Sequence, residues 1–165
     1  MYYVQCCSIL CMPLRYIKTS YKKRRLLQTD DKVPAFNLNG VSDWAKVVDV
    51  YDGDTFRATI FVDNKIKKFT FRSLGYDSPE MKPLKTLPNR NVHKEKAIDA
   101  RDFLREKILN KVVYLKCFKN DKYGRTLAMI YLSPRDDKSI NDLMIETNNG
   151  VYYDGGKKTN FNFEN

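Results

Sequence analysis

Two short acidic runs, Asp52-Gly53-Asp54-Thr55 and Asp77-Ser78-Pro79-Glu80, hold the residues best suited to chemistry. Each alone is ordinary turn chemistry, short polar side chains folding back on their own backbone beside a glycine or a proline. Arg72 stands five residues before Asp77, and Arg125 follows Tyr123-Gly124. Together they describe a task. Cleaving a phosphodiester with water needs a nucleophile in line with the leaving oxygen and neutralisation of the charge that gathers on the phosphoryl oxygens. A hard divalent cation held by carboxylates and a backbone carbonyl would act as the Lewis acid without any imidazole. Two guanidiniums can each grip phosphate oxygens through paired N–H groups, which lysine does less well. A further carboxylate within reach can orient or deprotonate the water. Whether these groups meet depends on the elements that carry them.

The pattern tightens from Trp44 onward. Ala45–Tyr51 reads as a valine-rich strand ending in the turn Asp52-Gly53. Thr55–Val62 alternates, with Phe56, Ala58, Ile60 and Val62 on one face. Asp63-Asn64-Lys65 supplies hairpin turn chemistry before a third strand, Ile66–Leu74, with Phe69 and Phe71 opposite Thr70 and Arg72. A polar loop with three prolines covers residues 75–92, long enough inside a compact domain to suggest function. His93–Asn110 places Ala97, Ala100, Leu104 and Ile108 on one helical stripe, with Phe103 beside it. Strands Val112–Phe118 and Thr126–Leu132 follow. Ser139-Ile140-Asn141-Asp142 is then a capping box in its Asp variant, opening a helix with Ile140, Leu143, Met144 and Thr147 as its buried face and Gly150 placed to end it. Three strands, a helix, two strands and a helix exclude a doubly wound parallel sheet. The order fits a mainly β fold with helices (α+β), a five-stranded OB-fold Greek-key barrel with two packed helices.

The 165 residues, 42% of them hydrophobic, suffice for a real core and exclude a wholly disordered chain. Thirty Lys and Arg against 20 Asp and Glu leave +10, an excess that favours phosphate-rich polymers or an anionic membrane face as partners. Residues 1–40 hold seven basic and two acidic residues and residues 41–165 hold 23 and 18, so each part carries half of that excess. Residues 1–43 read as a basic, cysteine-containing extension and linker, 44–153 as the folded domain, and 154–165 as a short irregular tail. The apolar start lacks a preceding positive charge and is broken by Pro13, so no signal peptide is expected. Cys6, Cys7, Cys11 and Cys117 do not form a disulfide framework, and free thiols in a reducing compartment, cytoplasm or nucleus, are expected. Lipid attachment at Cys6 or Cys7, backed by Lys22-Lys23-Arg24-Arg25, leaves room for weak membrane association through the tail.

Three separated segments, VVDVYDGDTF, FTFRSLGYDSPEMK and NDKYGRTLAMIYL, closely resemble the staphylococcal nuclease (thermonuclease-like) family. The likeness runs from about Ala45 to Tyr153, roughly two-thirds of the chain, with the three motifs in the family's order. It implies a calcium-dependent endonuclease, a phosphodiesterase with little sequence specificity acting on DNA, with RNA left open, and leaving 3′-phosphate ends. By the same resemblance Asp54 and Asp77 match the carboxylates that bind one Ca2+ ion, and Ser78 stands where a main-chain carbonyl completes the inner shell. Glu80 matches the general base or water-orienting residue, and Arg72 and Arg125 match the arginines that bind the scissile phosphate. Lys122 and Tyr123 match residues that hold a terminal phosphate, and Tyr152 and Tyr153 fall near the family's base-side tyrosines. Every charged member of this set is present, with serine where threonine is common. After Tyr153 the chain runs DGGKKTNFNFEN, which does not look like the family's long C-terminal helix. A monomer is expected. The alternative is a non-catalytic nucleic-acid-binding OB-fold module, in which charge and exposed tyrosines supply affinity.

Overall fold

A computed structural model describes residues 14–156 and residue 161. The chain divides into two compact units, residues 1–36 and 37–165. In the first, α1 (Leu14–Leu26) is a helix that the sequence reading did not anticipate. Lys23, Arg24 and Arg25 occupy its last turn, where cations complement the partial negative charge of a helix C-terminus. Cys6, Cys7 and Cys11, and with them the expectation of membrane association through lipid, lie outside the described residues. So does most of the expected irregular tail. Among the described residues no helix is long and apolar enough to cross a membrane.

The second unit is built from β1 (Ser42–Val50), β2 (Thr55–Val62), β3 (Lys65–Ser73), β4 (Tyr76–Asp77), α2 (Arg90–Ile108), β5 (Val112–Asn120), β6 (Thr126–Tyr131), α3 (Ile140–Glu146) and β7 (Val151–Tyr152). Five strands close into a barrel in the order β1-β2-β3-β6-β5, with β5 returning to β1. All neighbours are antiparallel except β3 and β6, which run parallel with Phe71 opposite Thr126. This is the expected α+β barrel of the OB type. The alternation read from the sequence sets its inside: Phe56, Ala58 and Ile60 of β2 face Phe71 of β3 and Leu115 and Ile130 of β5 and β6. The rings of Phe56 and Phe71 stack at 5.4 Å.

Ala97, Ala100, Leu104 and Ile108 of α2 are buried against the barrel, as the stripe predicts. The helix starts earlier than expected, at Arg90, after Asn89 in the left-handed region at φ 51°. Asn110, at φ 61°, turns the chain from its end into β5. Ser139 caps α3 through the predicted box: its side chain accepts from the Asp142 N–H, and the Asp142 carboxylate accepts from the Ser139 N–H. Two expectations for α3 are corrected. The helix ends at Thr147 and Asn148, the latter at φ 58°, so Asn rather than Gly150 supplies the left-handed stop. Thr147 is exposed; buried Asn141 serves instead, donating to the Leu74 and Ala128 carbonyls (2.8 and 3.0 Å) and accepting from the Ile130 N–H (2.9 Å). Gly150 has a packing role, since a Cβ there would lie 2.4 Å from Cδ2 of the buried Tyr76 ring.

The long loop after β3 is less open than its prolines suggest. β4 pairs with β7, Tyr76 opposite Tyr152 and Asp77 opposite Val151. The Tyr153 N–H donates to the Gly75 carbonyl at 3.0 Å. This ribbon ties the end of the domain to the acidic segment Asp77–Glu80. The compact unit also begins ahead of the expected residue 44, since Leu38 is in the core.

Candidate active site

Asp54 follows the turn that leaves β1, Arg72 lies near the end of β3, and Asp77 lies in the ribbon beyond it. The barrel brings all three together. Arg72 Nη1 donates to Asp54 Oδ2, and Arg72 Nη2 donates to Asp77 Oδ1 at 2.5 Å. The carboxylates are 4% and 2% exposed and the arginine 9%, so the bridge is almost dry. Antiparallel pairing of Thr55 with Arg72 fixes this meeting, as does the Ser73 N–H, which donates to the Asp54 carbonyl at 2.8 Å.

Close packing finishes the alignment. Gly53 lies so near Ser78 and α2 that a Cβ there would be 2.7 Å from Ser78 Cβ and 3.0 Å from Ala100 Cβ. The buried Tyr76 hydroxyl donates to the Gly53 carbonyl at 2.7 Å, crossing from the ribbon to the turn. Glycine, alanine and serine are therefore required sizes here: they let the Asp54 turn sit directly against the segment that carries Asp77 and Ser78.

Arg125 joins through two residues that the sequence reading did not single out. Asp121 opens the tight loop between β5 and β6, where Gly124 takes φ 80°. Its Oδ1 accepts from the Tyr123 and Arg125 N–H groups, each at 2.9 Å, and its Oδ2 accepts from Arg125 Nε at 2.7 Å. Arg125 Nη1 then donates to Thr55 Oγ1 at 2.9 Å, and that hydroxyl donates to Asp54 Oδ1 at 2.8 Å. One continuous path thus runs Asp121, Arg125, Thr55, Asp54, Arg72, Asp77. The signals were present as an Asx turn in Asn120-Asp121-Lys122-Tyr123-Gly124 and a Thr next to Asp54. Neither pattern says which distant side chain will be held.

The path borders an open cleft of about 1310 Å³, which Ser78, Glu80, Lys122, Tyr123 and Tyr153 also line. Glu80 is exposed at its rim. The Arg72 guanidinium lies over the Tyr153 ring at 5.8 Å, and Lys122 and Arg125 lie over the Tyr123 ring at 5.1 and 5.5 Å. The structure therefore gathers Asp54, Ser78, Glu80, Arg72, Arg125, Lys122, Tyr123 and Tyr153 about one cleft, whereas Asp77, 2% exposed, joins them only through its bond to Arg72 and does not line the cleft. Tyr152 is not among its lining residues; its side chain belongs to the solvent side of the ribbon.

Burial first, and Asp52 second, push the Asp54 carboxyl up to about 7 against the pull of Arg72 and Thr55. For Arg72, burial works against its charge, yet Asp54 and Asp77 hold its pKa above the ordinary value. Burial likewise raises Asp121, but the N–H groups of Arg125 and Tyr123 and the Arg125 guanidinium outweigh it, and the net value is low. The two buried carboxylates beside Arg72 offer an all-oxygen donor set of the kind a hard dication takes, once the Asp54 proton has left. Among the described residues no three His, Cys, Asp or Glu side chains could ring an ion. Asp54 and Asp77 would need a carbonyl such as that of Ser78, and water, to complete the shell.

A barrel with a paired-carboxylate, paired-arginine cleft at one rim is the kind of site that handles phosphate esters. The pattern described as staphylococcal nuclease homologue matches residues 70–161, more than half of the chain, and the protein belongs to that family. It is 40% identical over 90 residues to a thermonuclease of Staphylococcus hyicus, a stretch that covers 53% of this chain and 47% of that protein. The chain thus spans about half the length of the curated relative it matches.

Proposed function

We propose that the protein is a calcium-dependent nuclease that hydrolyses phosphodiester bonds of DNA, and of RNA where single strands reach the cleft, with little sequence preference. The observation that carries the reading is the unbroken path from Arg125 to Asp77, which holds two arginines and two buried carboxylates together beside one open cleft that Asp54, Arg72 and Arg125 line. Membership of the nuclease family supports it.

In this reading each residue has a task fixed by its surroundings. Arg125 has Nε and Nη1 bound to Asp121 and Thr55, so Nη2 is the end presented to a phosphate oxygen. Arg72, locked between two carboxylates, also lines the cleft and brings its positive charge to it. Both add positive charge where the attacked phosphate becomes more negative. Glu80, exposed at the rim, accepts a proton from the water that attacks phosphorus, and the 5′ oxygen leaves with a proton from solvent, which gives a 3′-phosphate end. Asp54 and Asp77, with the Ser78 carbonyl, would hold Ca2+, which when bound supplies Lewis-acid polarisation of the phosphate and charge neutralisation. Lys122 and Tyr123 frame the side of the cleft where a terminal phosphate would rest, and Tyr153 offers a ring to a base.

The test is digestion of supercoiled and linear DNA, and of RNA, across a series of divalent ions, with product ends analysed in the same assay. Calcium-dependent cleavage that stops on chelation, and a loss of orders of magnitude in Glu80→Gln and Arg125→Ala, are the expected results. Binding without hydrolysis under every ion would instead make the protein a nucleic-acid-binding barrel.

A further inference from the structure

The outer face of the barrel carries a row of aromatic rings that the cleft does not use. Trp44 of β1 pairs with Tyr114 of β5, and Tyr114 pairs with Tyr131 of β6, so three rings lie side by side across three strands. Trp44 and Tyr114 meet edge to face at 5.6 Å. Trp44 is 46% exposed and both tyrosines are half-buried, so each ring keeps part of its surface in water. Cross-strand pairing explains why two of these rings touch. It does not explain why so much indole is left in water.

Charge gives the row its partner. Lys46 lies two residues after Trp44 on the same outward face, and Lys116 two residues after Tyr114. Lys116 Nζ sits 4.5 Å from the centre of the Tyr131 ring. Among the described residues no carboxylate forms an ion pair with Lys46 or Lys116. The nearby Asp43 carboxylate turns back to the Trp44 N–H at 2.7 Å. Flat rings for bases, with ammonium groups beside them for phosphates, match single-stranded nucleic acid.

The row is separate from the cleft, and none of its members lines it. Trp44 precedes Asp52 by eight residues, Tyr114 precedes Asp121 by seven, and Tyr131 follows Arg125 by six. At about 3.3 Å per residue these separations are roughly 20–26 Å along the strands.

We propose that Trp44, Tyr114 and Tyr131, with Lys46 and Lys116, form a stacking platform for single-stranded nucleic acid, a second contact for the polymer whose cleavage was proposed above. The partner's identity rests on that reading. The platform is tested apart from it.

Trp44 is the one tryptophan in the chain, so its emission reports on this face alone. The full-length protein is titrated with oligothymidylate of about 12 nucleotides in calcium-free buffer with chelator, a length within the range a single barrel of this type engages. Binding is followed in parallel by the anisotropy of a fluorescein-labelled copy. Saturable quenching of Trp44 that tracks the anisotropy is expected. Tyr114→Ala and Tyr131→Ala should each weaken binding about tenfold, whereas Tyr114→Phe and Tyr131→Phe, which keep the rings, should stay within about twofold. An oligonucleotide that binds with Trp44 emission unchanged overturns the platform, and if the same oligonucleotide is cleaved on adding calcium, the nuclease reading stands alone. Quenching without cleavage keeps the platform and removes the nuclease. Absence of binding overturns the platform. Because the wild-type titration needs no substitution, a variant that fails to fold does not blunt the test.

Discussion

Replacing Gly53 by alanine probes the packing that holds the acidic pair together. The new Cβ would lie 2.7 Å from Ser78 Cβ, 2.8 Å from Ser78 Oγ and 3.0 Å from Ala100 Cβ, where ordinary contact begins at 3.4 Å. Gly53 does not sit at positive φ, so backbone strain adds nothing and the cost is overlap alone. The turn must back away from Ser78 by about half an ångström or more, and Asp54 moves with it. Inserting one methyl into a packed site costs about 1–3 kcal/mol. For a domain of this size that is a fall in Tm of roughly 3–10 °C. Urea denaturation and thermal melts measure the stability, and calcium titration measures the site. A Gly53→Ala protein should be less stable and bind calcium at least about tenfold more weakly, since its two carboxylates no longer share one position. Ser78→Gly in the same chain removes the nearest overlap and should return a large part of both losses, giving a coupling of about 1 kcal/mol or more in a double-mutant cycle. If Gly53→Ala matches the parent in stability and calcium affinity, or if the cycle shows no coupling, the reasoning about this contact is wrong.

Thr55→Val removes the hydroxyl that links Arg125 to Asp54 while keeping the shape of the side chain. It should destabilise the protein by about 1–3 kcal/mol and cut kcat for DNA cleavage at least tenfold, measured by denaturation and initial rates. The raised Asp54 carboxyl predicts a pH dependence with a definite sign. Its folded value lies above the unfolded one, so this group stabilises the calcium-free fold at acid pH, and the contribution is lost as pH rises toward about 7. Calcium must displace that proton, so affinity should climb with pH below about 7 and level off above it, and the calcium-induced rise in Tm should be larger at about pH 8 than at about pH 5. Buried Cys117 has its thiol pushed up to about 11, chiefly by burial. A thiol reagent at neutral pH should leave it unmodified in the native protein and label it only after denaturation, as read by mass spectrometry.

Much of the barrel is legible in the chain because its signals are local. The alternation of Phe56, Ala58 and Ile60 and the stripe Ala97, Ala100, Leu104, Ile108 follow from which side chains leave water. The Ser139-Asp142 box is equally local. Helix α1 and the exact ends of α2 and α3 were local signals that escaped, and the rest of what escaped is nonlocal. The short β4–β7 ribbon joins residues far apart in sequence, and two-residue strands leave no periodicity to read. Gly150 looks like a helix stop, but its smallness serves the Tyr76 ring, which only the fold brings there. Asn148 performs the stop instead. The charged members of the candidate site are those the family resemblance implies, whereas Thr55 and Asp121 could not be singled out. Their role is to connect two arginines and two carboxylates, and such a role exists only once β2, β3 and the β5–β6 loop are side by side. Tyr152 and Tyr153 illustrate the same limit: adjacent residues in a strand point to opposite faces, and only Tyr153 reaches the cleft.

Asp54 and Asp77 are expected to hold one dication together, beside Arg72 and Arg125. Calorimetric titration of calcium into the parent protein, Asp54→Asn and Asp77→Asn at about pH 8 tests it most directly. A single bound ion in the parent and at least tenfold weaker binding in each variant are expected. Calcium affinity unchanged in either variant would contradict the shared site.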